Sequence, residues 1–291
     1  MEELPALAVN FSDLTPELIS LLSFMVLFVG LFMLARWIIE LTTPYKISEE
    51  LTTKDNTALA ISYCGYFVAV VIIFIAALLG PTGDLVDDLI KVGLYTFLGI
   101  ILLNISHFIN DKLILHTFAN TKELVDDQNA GTGAVQFGSY IASAFIVAGA
   151  IHGDGGGMET AIVFFLLGQF ALVLFSKIYN LITPFDIHEE IEKDNIAVGV
   201  AFGGTLAALG IVLMNGSHGD FESWTYNTSL FAFKAVLAFI FLPIFRLLLD
   251  KLFINHADLN HEIVEDKNLG AGILEMANAI GFAVILFFLL A

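Results

Sequence analysis

The sequence predicts an all-α protein, a polytopic transmembrane helical bundle whose eight spans form two parallel four-helix repeats. Two observations lead to this fold class. Apolar residues make up 57% of the 291 residues and charged residues only 14%, whereas a soluble domain carries about 25% charged residues. The chain also repeats itself, because the segment that begins at Asp111 matches the segment that begins at Asp250, an offset of 139 residues.

Several apolar runs are long enough to cross a hydrocarbon core of about 30 Å, since a helix rises about 1.5 Å per residue. Pro44 and Pro184 mark the ends of the first and fifth runs, because proline cannot continue the helical hydrogen bonding. The predicted spans are 17–41, 57–79, 89–110, 130–151, 158–182, 196–214, 228–249 and 269–290.

The repeated segments lie between the spans. TPYKISEELTTKDN at 43–56 corresponds to TPFDIHEEIEKDN at 183–195. DKLILHTFANTKELVDDQNAGTG at 111–133 corresponds in the same way to DKLFINHADLNHEIVEDKNLGAG at 250–272. Two homologous halves therefore follow each other in the chain.

The halves set the predicted domain organisation. We expect a first four-span repeat at 1–151, an external linker at 152–158 and a second four-span repeat at 159–291. Because each half has an even number of spans, the halves should be parallel, and we predict a pseudo-twofold axis along the membrane normal between them.

The even-numbered spans differ in composition from the odd-numbered ones. Each begins just after an asparagine and carries small residues at helical spacing, such as Ala58, Gly65, Gly199 and Gly203. Small residues let helix backbones approach closely within a bilayer. We therefore predict that the even spans form the interior and that the odd spans, rich in Leu, Phe and Ile, form a lipid-facing ring.

The basic residues predict the orientation. Ten of the 12 Lys and Arg residues lie in or beside the connectors that follow odd spans, and only Lys91 and Lys234 lie at the other end, where their stems can snorkel outward. The positive-inside rule then makes these connectors cytoplasmic and puts both termini outside, in the periplasm. The net charge of −18 argues against nucleic acid as a partner.

The order Thr-Pro-aromatic, Glu-Glu and Lys-Asp-Asn-x-Ala ahead of a small-residue span resembles the domain-of-unknown-function 350 (YjfL-like) family of bacterial inner-membrane proteins. The resemblance covers both halves, and TPFDIHEEIEKDNIAVGVAFGG of the second half is the closer fit. In the first half Lys46 and an extra Thr in LTTKDN depart from the pattern. The resemblance implies a location in the bacterial inner (plasma) membrane, no assigned activity, and cytoplasmic stress-response or polyamine-related proteins as partners.

The acidic connectors allow two interpretations. An Asp or Asn before a helix accepts hydrogen bonds from the free N–H groups of its first turn, so capping explains part of the pattern. Capping does not require paired glutamates six residues upstream, and these suggest a cation vestibule or a docking face for a basic partner or polyamine. The candidate residues are Glu49, Glu50, Asp55, Asn56, Glu189, Glu190, Asp194 and Asn195.

Polar residues inside the spans are few. Glu275 is the deepest carboxylate, and Gln136 holds the equivalent position in the first half. A carboxylate within lipid is costly and usually functional, so Glu275, Gln136 and the nearby Asn278 are candidates for a transport path or partner contact. The alternative is a structural role, with Glu275 hydrated or paired with Lys267 or Lys177.

No catalytic or nucleotide-binding motif stands out, since the chain has no GxxxxGK[ST], GxSxG or CxxC segment. We therefore expect no enzyme activity, no cofactor and no metal. The leading hypothesis is a pore or transport component, further assembled as a homo-oligomer in the lipid bilayer, with a path lined by the even spans. The alternative is a non-transporting scaffold that recruits cytoplasmic stress-response partners through the acidic connectors.

Overall fold

The computed structural model describes residues 11–80, 83–153, 155–253 and 258–291, and within these ranges the chain is helical without a strand. The long helices are α1 (Phe11–Thr42), α3 (Thr57–Leu78), α4 (Leu85–Ile109), α6 (Ala130–Ile151), α7 (Met158–Ile182), α9 (Ile196–Ser217), α10 (Trp224–Phe253) and α12 (Leu269–Leu289). Four short helices lie in the connectors: α2 (Ile47–Thr52), α5 (Asn120–Val125), α8 (Ile187–Glu192) and α11 (Leu259–Val264).

Eight helices of the described chain are long and apolar enough to cross a membrane. They correspond one to one with the predicted spans, which confirms the predicted all-α, eight-span fold. The largest shifts are at helix starts. For example, α4 begins at Leu85 instead of residue 89, because the Asp84 side chain accepts hydrogen bonds from the backbone N–H groups of Val86 and Asp87, both at 3.0 Å.

The second, fourth, sixth and eighth spans are the helices α3, α6, α9 and α12. These even-numbered spans stand side by side in one row, in that order. Glycine allows the close approach: a Cβ on Gly133 of α6 would lie 3.0 Å from the carbonyl carbon of Ala58 in α3, and one on Gly272 of α12 would lie 2.9 Å from the Cα of Ala197 in α9. The connector helices all lie at the end of the row where these four helices begin, which we call the connector end. The two halves are therefore parallel, as predicted.

The row corrects two predictions about the arrangement of the halves. A pseudo-twofold axis would turn the contact of α6 with α9 into an equal contact of α12 with α3, but the corresponding faces of α12 and α3 are exposed. The halves are therefore related head to tail. For the same reason only α6 and α9 are interior helices, 89% and 83% buried over their span windows, whereas α12 is 22% buried. The prediction that all even spans are interior is wrong for α12 and for α3, which is 56% buried, because each has only one neighbour in the row.

The odd-numbered spans pack beside the row and do not form a complete ring around it. Helices α1 and α4 contact α3, and α7 and α10 contact α9. Two apolar cores result, one around Tyr66 and Ile100 in the first half and one around Phe175 and Phe202 in the second. Lys234 of α10 does not snorkel outward as predicted. It is buried, and its ammonium group donates a hydrogen bond to the backbone oxygen of Asn215 at 3.1 Å.

Candidate functional site

An asparagine directly precedes each helix of the central row, and its side chain makes the same set of bonds ahead of α3, α6 and α9. Asn56 accepts the backbone N–H of Leu59 at 2.9 Å, which caps α3. Its amide nitrogen donates to Glu50 at 3.3 Å in its own connector and to the backbone oxygen of Leu124 at 2.7 Å in the next connector. The capping interpretation is therefore correct, and the cap also ties neighbouring hairpins together.

The same bonds recur along the row. Asn129 donates to Glu123 at 2.9 Å and to the Ile191 oxygen at 2.6 Å. Asn195 donates to Glu190 at 3.3 Å and to the Ile263 oxygen at 2.9 Å. These three asparagines are fully or almost fully buried, so each bond holds one connector against the next in a low-dielectric setting.

The paired glutamates have divided roles. Glu50 and Glu190 turn inward to the asparagines, and each is also paired with a lysine of its own connector, Lys54 at 2.6 Å and Lys193 at 3.2 Å. Glu49 and Glu189 are exposed, and Glu189 contacts the same Lys193 at 2.8 Å. The glutamates follow a row of helices, so they do not form a ring around an axis, and the predicted vestibule of acidic rings is absent from the described chain.

Asp55 and Asp194 do not cap helices. Each occupies the position before the asparagine and has a left-handed backbone, with φ of 50° and 58°. Gln128 and Lys267 hold the same position in the other two connectors, with φ of 51° and 46°. This conformation is uncommon for residues other than glycine, and its repetition shows that all four connectors make the same reversal before the asparagine.

Glu275 lies in a closed polar cluster in the second half. Its Oε1 accepts hydrogen bonds from the Tyr179 hydroxyl at 2.5 Å and from Arg246 Nε at 2.7 Å, and Arg246 Nη2 donates to Asn260 at 2.9 Å. The predicted partners of Glu275, Lys267 and Lys177, are thus wrong. Both charges are largely buried and paired, and the described residues leave two small cavities beside the cluster, each of about 10 Å³.

Asn278 lies next to this cluster but contributes little to it. The Asn278 amide donates to the backbone oxygen of Leu274 at 2.7 Å, one turn earlier on the same helix. It lines one of the two small cavities beside Glu275 and Tyr179. The predicted pair of Glu275 and Asn278 is therefore together in space, with only Glu275 engaged in bonds between helices.

The equivalent position in the first half is open. A cavity of about 260 Å³ lies at the connector end between α1, α4 and α6, far above the roughly 10–15 Å³ that one water molecule needs. Exposed Pro44 and Lys112 lie at its edge. Nine of its twelve lining residues have polar or charged side chains, and the lining comprises Thr42, Thr43, Pro44, Tyr45, Asn104, His107, Phe108, Asp111, Lys112, Thr121, Leu124 and Gln136.

A chain of hydrogen bonds runs along the inner wall of this cavity. Ser62 of α3 donates to Gln136 Oε1 at 2.6 Å, and Gln136 Nε2 donates to Asp111 Oδ1 at 3.1 Å. The other Asp111 oxygen lies 3.6 Å from His107 Nε2, and His107 Nδ1 lies 2.7 Å from the Tyr140 hydroxyl. A carboxylate, an imidazole and an amide therefore face one cavity.

Tyr45 borders the cavity from the connector. A phenol is already neutral at physiological pH, and burial raises the pKa of Tyr45 further, to about 12, so its hydroxyl keeps its proton as a hydrogen-bond donor. In the next connector, burial also raises the pKa of Glu123, the carboxyl that receives the Asn129 amide. With Lys112 at its edge, the cavity presents hydroxyl, amide and imidazole groups around one carboxylate, a set suited to a small polar or cationic solute.

Gln136 is the one residue of the predicted transport or partner sites that lines this cavity. His107 and Asn104, two of the few polar residues inside the predicted spans, line it as well, whereas Asp111 begins a charged segment that suggests a connector and is not a predicted site residue. One signal was available. Offsets of 139 residues pair His107 with Arg246 and Gln136 with Glu275, so an interaction of Arg246 with Glu275 implies a site in the first half.

The fold and the polar sites define a multi-pass membrane protein made of two parallel copies of one helical domain. A sequence profile for the family described as Domain of Unknown Function (DUF350) matches residues 13–151 and again residues 155–290. The chain belongs to this family, and the resemblance stated from its motifs is confirmed in both halves.

A curated relative supports the same class. The chain is similar to a UPF0719 transmembrane protein of Aquifex aeolicus (strain VF5), with 24% identity over 245 residues that cover 82% of this chain and 88% of the relative. No solved structure matches the chain.

Proposed function

We propose that this protein is a transport component of the bacterial inner membrane that admits a small cationic or polar solute at the first-half cavity. The cavity of about 260 Å³ around Asp111 carries the proposal. A space of this size, lined by a carboxylate and several uncharged polar side chains with Lys112 at its edge, is costly to maintain within a membrane-spanning bundle unless it holds solute or water.

The solute would enter from the cytoplasm. Ten of the 12 basic residues lie at or near the connector end, which supports a cytoplasmic location for the connectors and an external location for both termini. The cavity lies at that end. The small residues of the even spans do not supply the path that the sequence suggested, because α6 and α9 pack backbone against backbone.

The test is solute uptake into proteoliposomes, with potassium, sodium and putrescine as separate probes. Asp111→Asn removes the only carboxylate in the cavity lining and should lower flux of the accepted probe by at least about tenfold, which corresponds to about 1.4 kcal/mol. The matched control is Asn278→Ala, beside the closed second-half cluster, which should leave flux unchanged. Equal flux for Asp111→Asn and the unmodified protein, or no flux of any probe above empty liposomes, contradicts the proposal.

A scaffold that recruits stress-response or polyamine-related proteins is the second candidate. The exposed position of Glu49 favours it, because this carboxylate takes no part in the asparagine bonds that hold the connectors. Glu49→Lys together with Glu189→Lys should then abolish co-purification of a basic cytoplasmic protein and leave flux unaffected. A loss of flux with no change in co-purified proteins favours the transport proposal instead.

A further inference from the structure

The central row of helices is flanked by α3 on one side and by α12 on the other. Each of these two helices has a free face that matches one side of the seam that joins the two halves of the chain. That seam lies between α6 and α9. A Cβ on Gly138 of α6 would lie 2.6 Å from the Cα of Gly203 in α9, and one on Gly199 of α9 would lie 2.6 Å from the carbonyl carbon of Gly131 in α6. The two backbones therefore touch directly.

Helix α12 is the repeat of α6, and it presents the same face without a partner. Gly270, Ala277 and Gly281 stand where α6 has Gly131, Gly138 and Ala142, each at an offset of 139 residues, and all three are exposed. A Cβ on Gly281 would meet no atom within 4 Å, whereas Ala142 packs closely on Gly210 of α9.

Helix α3 is the repeat of α9 and presents the other face of the same seam. Ala60 and Cys64 stand where α9 has Gly199 and Gly203, and both are exposed. Further along the same side, Val68 and Ile75 are also exposed, at 39% and 47%. The two ends of the row are thus complementary and unlike each other.

The asparagine bonds stop at the same two places. Asn268 caps α12 and donates to its own Glu262 at 2.8 Å, but it is exposed and reaches no further connector in the described chain. On the α3 side of the row, Leu51 holds the repeat position of the residues whose backbone oxygens accept the hydrogen bonds of the asparagine amides, which are Leu124, Ile191 and Ile263. The Leu51 oxygen receives no asparagine amide from the described residues. One donor and one acceptor of the repeated bond are therefore left over, at opposite ends.

We propose that a second copy of this chain docks head to tail, with the free face of α12 in one copy against the free face of α3 in the next. The amide of Asn268 then donates to the Leu51 oxygen of the neighbouring copy, and the seam between copies repeats the α6–α9 seam. Because the row helices are parallel, the copies share one orientation in the membrane, as a common bilayer requires.

Such a contact is heterologous, so it forms a ring where its rotation closes and an open array where it does not. Ala277 and Cys64 stand where the internal seam has two glycines, so the backbones at the new seam lie farther apart than those of α6 and α9. This contact between copies is therefore weaker than the internal seam and separable in detergent. It does not depend on the proposed transport function.

The native cysteine supplies the test, because Cys64 is the only cysteine in the chain and lies on the free face of α3. In the internal seam its counterpart Gly203 meets Gly138, whose repeat is Ala277. Ala277→Cys should therefore place a second thiol within disulfide range of Cys64 in the neighbouring copy. Oxidation of the full chain in native membranes should yield a ladder of covalent dimers and larger oligomers.

Three control chains define the result. The unmodified protein and the Cys64→Ser, Ala277→Cys double variant each hold one thiol per copy and should form no disulfide-linked dimer. Leu174→Cys keeps Cys64 and adds a thiol to an exposed site on α7, so it measures chance collisions. A covalent dimer of either single-thiol chain indicates like-to-like contacts, and a disulfide within one chain indicates that α3 and α12 of the same copy meet. Either result, or no ladder with Ala277→Cys, overturns the proposal.

A second variant tests the interface without cross-linking. Gly281→Trp adds bulk where the single copy has open space, so folding should persist while the oligomer dissociates to monomers, as measured by subunit counting of fluorescently labelled protein in lipid bilayers. Val236→Trp adds the same bulk to the exposed face of α10 and should leave the oligomer intact. An oligomer that survives Gly281→Trp contradicts docking through this face.

Discussion

The two halves of the molecule place different chemistry at equivalent positions. In the second half Arg246 and Glu275 pair at 2.7 Å and fill the space between α10 and α12. In the first half His107 and Gln136 stand at those positions, each engages Asp111 or Tyr140, and a cavity of about 260 Å³ remains. One fold thus holds a closed ionic cluster in one copy and an open polar site in the other.

Within a duplicated membrane protein, therefore, the depth of a charged residue does not by itself locate function. Glu275 is the deepest carboxylate, and its bonds to Tyr179 and Arg246 explain its presence as a link between α7, α10 and α12. The half with the more complete motif therefore carries the structural cluster, and the half with the altered motif carries the accessible one.

The largest expected effect comes from breaking the closed cluster. Arg246→Met leaves the Glu275 carboxylate buried without its charge partner and should lower the free energy of unfolding by about 3–5 kcal/mol. His107→Met at the equivalent position of the open site should cost about 1 kcal/mol, the value of an ordinary hydrogen bond. Chemical unfolding in detergent micelles, followed by circular dichroism, measures both.

Restoring neutrality provides the control. The double variant Arg246→Met, Glu275→Leu replaces the ion pair with apolar groups and should recover most of the lost stability, since well-packed apolar replacements of buried pairs are often neutral. Equal losses for Arg246→Met and His107→Met would contradict the distinction between a closed and an open site.

The next prediction compares the asparagine that caps α6, in the middle of the row, with the asparagine that caps α12, at one side of it. Asn129 caps α6 and donates to both Glu123 and the Ile191 oxygen, so Asn129→Ala loses a cap worth about 1 kcal/mol and leaves buried groups unsatisfied at about 1–3 kcal/mol. Asn268→Ala loses mainly the exposed cap of α12 and should cost about 1 kcal/mol.

The free energy of unfolding, measured in detergent where the copies are separate, distinguishes the two asparagine variants. The two variants are matched, because each removes one asparagine side chain at the start of a row helix. Equal losses would show that the bond from one connector to the next adds nothing beyond the cap.

A third test converts the open site into the closed one. His107→Arg with Gln136→Glu introduces the second-half pair into the first half and should fill the cavity, lowering solute flux by at least about tenfold. The reverse change, Arg246→His with Glu275→Gln, should leave flux unaltered. Liposome uptake measures both, and unchanged flux in the first variant would separate the cavity from transport.

The fold was largely predictable from the sequence, because hydropathy and the repeat are strong local signals. Spans 130–151 and 158–182 agree with α6 and α7 to the residue. The arrangement of the helices was not predictable from the sequence. An even number of spans per half makes the two halves parallel, but it does not decide whether a pseudo-twofold axis relates them. That choice depends on which face of α6 meets α9, and small residues occur on more than one face.

The candidate site was predictable only in part, for a similar reason. The asparagine caps follow from local sequence, and Gln136 was identified through its repeat position. The role of Asp111 depends on a bond from Gln136 to a residue 25 positions away and on the space that His107 leaves unfilled. Neither the packing of distant helices nor a cavity has a signature in a single sequence.

The smallest expected effect concerns the reversal before each asparagine, which the two halves share. Gln128 holds a left-handed backbone, with φ of 51°, and glycine adopts this conformation without the penalty of a Cβ, about 1 kcal/mol. Gln128→Gly should therefore raise the free energy of unfolding by roughly 0.5–1 kcal/mol, reduced by the greater entropy of glycine in the unfolded chain. Gln128→Ala keeps the Cβ and should give no gain. Because all four connectors make the same reversal, Lys267→Gly should act in the same direction, and opposite signs at the two positions would show that the halves differ here as well.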